Sequence, residues 1–575
     1  MVNVKNLFGM AVMATALVGC SSNDNLAPDG KDNVGKIGEA YASFTINLPT
    51  TSGTRADEPG TPSFAEGTAA EYEVKNGTIL IFDNSGNFVE SAELGTMNPW
   101  TKKTDENGVT TAAAATVQLS KVQIGKSYQA LVLLNNNTKT ADQKVTLPSD
   151  GDSYATWSAT AGNAKADKYE KTDGIFMANA PKYVSTKENP TTLVTLNNVY
   201  ASREQAQANP AIVVYVERGL AKVTMEDFAT AYTIADGNTY AGDKVEIKAW
   251  QLDVTNKSTF PVHQIGDLSS ATTGFADIWK TARFFDGANT KFQRVYWGTD
   301  PNYSDAQYLD LDNCKTAFKM IANDDVKGLA GIANPQYCLE NTFNLSNMMQ
   351  GQTTRVVFKA VYTPKALEGT AEKTFYKIGN NTAIWKEADL KQQILTLAFN
   401  AMKITDPDEQ AMYSVDLTKG SNISGKAGQH LVAAENIKFN PGESTKTSKV
   451  NDGVINEINE KLGLSEENPT AHKEKVGIST YLNGEAYYIA RIKHFNELTP
   501  WNAGEAYDSN NEKYLGRYGV LRNNWYSLSV HSISNLGYPS VPEVKPTVPD
   551  DENDQYINVE VKILSWAKRS QSIDL

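Results

Sequence analysis

The residues able to do chemistry are few and poorly grouped. The five histidines, His263, His430, His472, His494 and His531, are scattered, and no pair has the i, i+4 spacing of a helical zinc site. Neither Cys314 nor Cys338 has a CxxC partner, so metal catalysis has no foothold. Gly420-Ser-Asn-Ile-Ser-Gly-Lys-Ala427 nearly matches a phosphate-binding loop. Ala427 stands where a Ser or Thr hydroxyl must reach magnesium, so the stretch is read as a Gly-rich turn. Asp310-Leu-Asp-Asn313 and Asp406-Pro-Asp-Glu409 could offer oxygens to calcium, but they lack the spacing of a calcium loop and are read as solvated acidic turns. There is no Gly-x-Ser-x-Gly elbow. No catalytic residue, metal or cofactor is expected.

Processing signals are clearer. Leu7 to Val18 is an apolar run of 12 residues behind Lys5, ending in Leu17-Val18-Gly19-Cys20. The run is too short to cross a bilayer and has the form of a signal peptide. Its end resembles the lipobox of bacterial lipoproteins, which implies diacylation of Cys20 and attachment of a precursor to the outer membrane. Ser21 to Lys36 follows as a polar tether, then the strand-like Ala40 to Leu48, then Thr51-Ser-Gly-Thr-Arg-Ala-Asp-Glu-Pro-Gly-Thr-Pro62, a soft loop with one basic residue, Arg55. Ala40, Ala42, Phe44, Ile46 and Leu48 alternate with polar residues, the period of a strand with one buried face. A strand between an anchor and a cuttable loop can be removed.

The elements that would surround such a strand are β. At 575 residues and 40% hydrophobic, the chain has room for two to four domains with sizeable cores. A formal charge of −13 argues against nucleic acid as a partner. Short alternating segments dominate, separated by Gly, Asn, Asp and Pro: Thr78–Phe82 before the hairpin signal Asp83-Asn-Ser-Gly86, Ser127–Leu134, Thr192–Leu196, Lys244–Val254, Arg355–Tyr362, Glu485–Ile492 and Trp525–Ile533. The Glu217-Arg218 interruption between the strands beginning at Ala211 and Leu220 marks a domain boundary near residue 220. Helices are expected to be rare and short; the one that stands out carries Val454, Ile455, Ile458 and Leu462, with Asp452 as N-cap and Gly463 as stop. Cys314 and Cys338 could close a loop of about 24 residues, worth roughly 3 kcal/mol, or remain two buried thiols.

The C-terminus differs from the rest. Val541 to Asp554 holds Pro542, Pro546 and Pro549 among five acidic residues, an extended linker that could span up to about 45 Å at roughly 3.1–3.3 Å per residue. After it, Ile557, Val559, Val561 and Ile563 form one face and Tyr556, Asn558, Glu560 and Lys562 the other, the cleanest alternation in the chain.

Taken together, the lipobox at Cys20, Arg55 in its loop, Val216-Glu-Arg-Gly-Leu-Ala-Lys222, Tyr337-Cys-Leu-Glu-Asn341, Arg522-Asn-Asn-Trp-Tyr526, Leu536-Gly537 and Val559-Glu-Val-Lys-Ile-Leu-Ser-Trp566 resemble the Bacteroidetes fimbrillins, the type V pilins, and most of all the minor-fimbria (Mfa-type) shaft subunit. The resemblance implies an all-β chain of two transthyretin-like β-sandwich domains with short helical insertions and a C-terminal donor strand. By it, residues 1–20 are the signal peptide, 21–55 a propeptide with the removable strand, 56–220 and 221–540 the two sandwiches, and 541–575 linker and donor strand. It further implies cleavage of the Arg55–Ala56 bond by a trypsin-like, Arg-specific protease. Loss of Ala42, Phe44, Ile46 and Leu48 with their strand would then open a groove for Ile557, Val559, Val561 and Ile563 of another copy. The expected product is a surface fimbria, a homopolymer with tip and anchor subunits and a role in adhesion. Residues 265 to 350 depart from the pattern and take no role from it.

Strand exchange is physically reasonable. A sandwich that loses a strand exposes unpaired backbone groups beside an apolar groove. Four β-branched side chains entering it would bury roughly 6–12 kcal/mol gross, and a head-to-tail contact of this kind propagates instead of closing. The alternative is a glycan-binding surface lipoprotein that uses some of its 9 Trp and 26 Tyr and keeps Ile557–Ile563 in its own sheet.

Overall fold

A computed structural model describes residues 39–48, 67–95, 101–105, 108–163, 174–181, 191–265, 297–465, 475–494, 515–550, 557–564 and 569–571, apart from 142, 210, 227, 229–230, 304–307 and 332. Cys20 and the Arg55–Ala56 bond lie outside the described residues.

The first half is one continuous ladder. Its strands are β1 (Ala40–Leu48), β2 (Gly77–Phe82), β3 (Phe88–Glu93), β4 (Thr101–Asp105), β5 (Gly108–Leu119), β6 (Tyr128–Leu134), β7 (Met177–Asn179), β8 (Val194–Leu196) and β9 (Ile212–Arg218), in the order β3-β2-β6-β7-β9-β1-β5-β4 with β8 beside β6. Short helices α1 (Ala69–Tyr72), α2 (Tyr154–Ser158) and α3 (Arg203–Ala208) fill the crossings. Ser153 and Ser202 cap α2 and α3 through their side chains. β1, β5, β6 and β9 turn their alternate apolar residues toward one core that also takes Ile79, Ile81, Leu196 and Trp525.

After β9 the chain turns at Gly219–Leu220 into a second set of sheets. β10 (Ala221–Met225), β11 (Tyr232–Thr233), β12 (Lys244–Asp253), β13 (Thr255–Asn256), helix α4 (Leu311–Ala317), β14 (Phe318–Lys319), β15 (Gln336–Cys338) and β16 (Arg355–Thr363) follow in order. The sequence signal for Lys244–Val254 becomes the long β12, whose Trp250 is fully buried and whose ladder with β16 shifts register between Ile247 and Ala249.

The chain then leaves this sheet for an insertion. β17 (Phe375–Ile378), α5 (Glu387–Met402), α6 (Pro407–Gln410), β18 (Tyr413–Val415), β19 (Ser421–Asn422), β20 (Gln429–Leu431), β21 (Ile437–Phe439), α7 (Asp452–Leu462) and β22 (Ile478–Tyr481) enclose a core of their own around Leu390, Ile394, Ile437, Ile455 and Ile458. β23 (Glu485–Arg491) returns to pair with β16, and β24 (Trp525–Ile533), β25 (Ile557–Leu564) and β26 (Arg569–Gln571) complete the sheet β15-β10-β24-β25-β26.

The molecule is mostly β, as expected; three features differ from the sequence reading, and the cysteines take one of its two alternatives. The 16-residue α5 was not foreseen, because its apolar residues are interleaved with Lys391, Gln392, Gln393 and Thr396 and give a weak stripe. α7 forms where expected, but Asn451, not Asp452, caps it by accepting from Val454 N at 3.2 Å. Cys314 and Cys338 are both free. They belong to different cores, Cys314 beside Phe318 and Val544 and Cys338 beside Val223 and Val356, so the pairing considered above is not made. Burial pushes their thiols up to about 11 and about 12, which makes both poor nucleophiles. Finally, the Pro-rich stretch after Tyr538 is not a free tether. Val541 and Val544 are buried, and Val548 to Asp550 bond back to the body.

Candidate functional site

The loops that resembled chemical sites serve as architecture. Gly420–Ala427 belongs to the hairpin joining β19 to β20, with Gly420 and Gly425 at positive φ, and no helix follows it to receive a phosphate. Asp310 and Asp406 cap α4 and α6, accepting from Asn313 N and Asp408 N.

β1 holds a central position. It pairs antiparallel with β5 along its whole length, from Ala40 opposite Leu119 to Leu48 opposite Thr111, and parallel with β9 from Phe44 opposite Ile212 to Asn47 opposite Tyr215. Its first half has a different second neighbour: Tyr41 and Tyr200 exchange backbone hydrogen bonds of 2.8 Å each way. Ala40, Ala42, Phe44, Ile46 and Leu48 are each no more than 1% exposed. The register grades the sizes. Phe44 and Ile46 stand opposite Ala115 and Ala113, whereas Ala42 and Ala40 stand opposite Val117 and Leu119, so each pair of rows presents one large and one small residue. On the outer face Ser43 and Thr116 share a hydroxyl contact of 3.0 Å, and Arg203 of α3 lies over the Tyr41 ring at 5.8 Å while donating to the Thr116 carbonyl at 3.2 Å.

β25, the tail strand, is paired within its own molecule. It runs antiparallel to β24, with Ile563 opposite Tyr526, Val561 opposite Leu528, Val559 opposite Val530 and Ile557 opposite Ile533. Its other edge carries β26, where Ile563 meets Arg569 and Val561 meets Gln571.

Three of the sequence segments noted above, far apart in the chain, converge between the two halves. Lys222 Nζ lies 2.8 Å from Glu71 of α1, both side chains being essentially inaccessible, and 3.6 Å from the centre of the Trp525 ring. Tyr337 donates its hydroxyl proton to the same carboxylate. Burial pushes the Glu71 carboxyl up, but Lys222 and the hydrogen bonds from Lys222, Tyr337 and Thr68 outweigh it and hold the group below the usual carboxylate range. Arg218 donates from Nε to the Glu71 carbonyl at 2.8 Å and from Nη1 to Asn523 at 3.4 Å, and Arg522 pairs with Glu340 at 3.3 Å and donates to Thr259 at 2.9 Å.

His263 completes the joint. Nδ1 is 2.9 Å from Glu217 and Nε2 is 3.0 Å from the Trp297 carbonyl. A ring carrying both protons can donate to the Glu217 carboxylate and to the Trp297 carbonyl at once. Burial opposes that charge, but Glu217, with help from Glu340, overcomes it and raises the histidine pKa. The joint is rich in buried ions, each partnered, and none of the groups described here is arranged as nucleophile and base. Sequence reading took these three segments from the resemblance and marked Glu217-Arg218 as a boundary; the roles of Glu71 and His263, which lie outside them, were missed because a single Glu within a four-residue helix and a single His in a loop carry no periodic signal.

Residues 479–572 match the family model described as "Major fimbrial subunit protein type IV, Fimbrillin, C-terminal". This span takes in β23, β24, the stretch after it and the tail strand. Among solved structures, the chain is similar to a protein of Parabacteroides distasonis ATCC 8503 described as a cell adhesion protein, at 11% identity and a TM-score of 0.35, over 92% of this chain and 100% of that one. A fimbrial assembly protein of the same organism is similar at 14% identity and a TM-score of 0.27, over 60% of this chain and 93% of that one. No curated protein matches the sequence.

Proposed function

We propose that this chain, whose residues 479–572 match the fimbrillin C-terminal family model, is a fimbrial structural subunit that polymerises by giving up β1 and accepting the tail strand of another copy. The observation that carries this reading is the position of β1: an N-terminal strand just ahead of a cuttable loop fills an interior slot between β5 and β9, with a full face in the core. Its loss leaves two strand edges and an apolar trough. Export as a lipoprotein through Cys20, cleavage after Arg55, assembly with tip and anchor subunits, and display at the cell surface complete the reading.

The tail suits the donor role in pattern and length. Ile557 to Leu564 spans 8 residues against the 9 of β1, with alternating apolar residues. In an isolated subunit such a strand would be aggregation-prone if left open, so parking it on β24 protects the monomer until a slot is offered. Treating the purified protein with a trypsin-like protease is expected to clip after Arg55 and give ladders of oligomers. Clipped protein that remains monomeric would remove the main support.

One observation favours the glycan-binding alternative: the tail strand lies in its own sheet, as that reading requires. A glycan array on the uncut monomer separates the two. Specific binding that survives deletion of Tyr556 to Leu575, without any polymer from clipped protein, would favour the binding module.

A further inference from the structure

Ahead of the tail strand, residues 540–550 are docked on their own body. Val541 donates its backbone N–H to Asn323 Oδ1 at 2.8 Å, and Ser540 Oγ meets the same oxygen at 2.9 Å. The Pro542 carbonyl accepts from Arg355 Nη2 at 2.6 Å, and Arg355 is fixed in turn by Asp253 at 2.8 Å. Val544 sits in a core with Cys314, Tyr308 and Phe318, and Pro546 lies against Gly351, where even a methyl group would come within 2.8 Å of its Cα. At the far end Gln350 N donates to the Val548 carbonyl at 2.9 Å, Asp550 N donates to the Met348 carbonyl at 3.1 Å, and Thr353 Oγ1 donates to Asp550 Oδ2 at 2.9 Å. Asp550 is 1% exposed. The β19–β20 hairpin closes over the same stretch: a Cβ on Gly428 would meet Pro539 and Ser540 within 3.1 Å.

We propose that residues 541–550 stay docked on their own subunit during strand exchange, so that the tail pivots at Asp550 and a second copy of this chain must bring its β1 slot close to that residue. The inference rests on the exchange reading above and adds where the arm begins. Between Asp550 and Ile557 the chain advances 7 residues, a reach of about 23 Å when fully extended, roughly half of what the sequence alone allowed. Neighbouring subunits are therefore held close. The docking face on the donor is the one around Asp550, built from Met348–Gln350 and the strap itself, and the occupant is the first sandwich of the next copy.

The anchors make this the favoured pivot. Peeling the strap would expose Val541 and Val544, strip Arg355 and Asp550 of hydrogen bonds and open two cores, whereas pivoting at Asp550 needs β25 to leave β24 and its neighbour β23. The strand it leaves keeps β10 as a neighbour.

Two engineered cross-links in the full chain test this. Asn323→Cys with Ser540→Cys, joined by a disulfide or a short bis-thiol reagent, locks the strap; Ser529→Cys with Glu560→Cys, on residues paired across β24 and β25, locks the tail. After clipping, the strap-locked protein is expected to polymerise at the rate and to the extent of its own reduced form. The tail-locked protein is expected to give no polymer until reductant is added. Loss of assembly in the strap-locked protein, restored by reductant, overturns the pivot at Asp550 while leaving strand exchange intact. Polymer from the tail-locked protein overturns strand exchange itself. Hydrogen exchange supplies a readout that needs no substitution: the amides of Val541 and Asp550 should keep their monomer protection in the polymer, and loss of that protection on assembly also overturns the proposal.

Discussion

β1 and β25 carry the same alternating pattern, yet one sits between two long strands of the first ladder and the other lies next to last in a sheet of the second half, covered on its outer edge only by the short β26. β1 has β5 on one side and Tyr200 and β9 on the other, so it leaves only if two sets of backbone bonds break together. β25 has β24 and the three-residue β26. The difference teaches that an alternating pattern identifies a half-buried strand and says nothing about its neighbours. On the proposed exchange, position in the ladder decides which strand would serve as plug and which as arm. On that proposal an interior plug requires cleavage, and not thermal opening, to start assembly.

The largest effect that could break the comparison is deletion of Tyr556 to Leu575. It is expected to abolish polymer while leaving a folded monomer, because β24 retains β10; size-exclusion chromatography and circular dichroism check this, and an unfolded product would make β25 an ordinary core strand. Phe44→Ala comes next. In the uncut chain it should cost about 3–5 kcal/mol in urea unfolding, as a buried ring opposite small residues leaves a cavity. In the polymer, where β1 has gone, the same substitution should change nothing. Equal destabilisation of both forms would mean that β1 never leaves.

Lys222→Met examines the joint between the halves. It leaves Glu71 buried without its cation and should cost about 3–5 kcal/mol. Adding Glu71→Gln to the same chain should recover part of that loss, and the recovery in a double-mutant cycle measures the coupling. The pH dependence has a definite sign. The folded pKa of His263 is raised above the ordinary value of 6.5, so its contribution is fully present below that value and is lost as pH rises through the folded pKa. His263→Gln should flatten the fall in stability on the alkaline side of pH 6.5. Buried Asp300, whose carboxyl burial pushes up to about 7, acts in the same direction between about pH 4 and 7 and should persist in that variant. The smallest effect is Ala42→Val in the uncut chain, expected to cost about 1–3 kcal/mol by overpacking against Val117. If it stabilises instead, the slot has spare room.

That last point revises an expectation. Ile557 and Val559 have more bulk than Ala40 and Ala42, and the sequence alone suggests that the incoming strand buries more. The slot is already full at those positions, with Val117 and Leu119 opposite, so an incoming strand must shift its register to set its large residues against Ala113 and Ala115, or the walls must yield.

Much of the β framework was legible because alternation survives even when neighbours are unknown: β1, β2, β6, β12, β16, β23, β24 and β25 all begin within a residue or two of where the pattern placed them. What was hidden depended on distant partners. The central place of β1 is set by Ile212–Tyr215, more than 160 residues away, and no local signal encodes it. In the insertion, α5 gave too weak a stripe to be seen and α7 could not be told from a surface helix, since the core they share forms only when strands on both sides of it close. The strap at Val541–Asp550 read as a linker because its prolines and acids dominate the composition, while its anchors, Asn323, Arg355 and Thr353, lie far up the chain. Glu71 found Lys222 across the joint in the same way.

The central claim is that the tail of one copy replaces β1 of the next. The direct test is a side-chain-resolution electron cryomicroscopy map of filaments assembled after cleavage. The account predicts that the strand between β5 and β9 carries the side chains of Ile557 to Ile563, continuous with the strap of a neighbouring subunit at Asp550. A map in which Ala40 to Leu48 still fills that position, with each tail on its own β24, would contradict it.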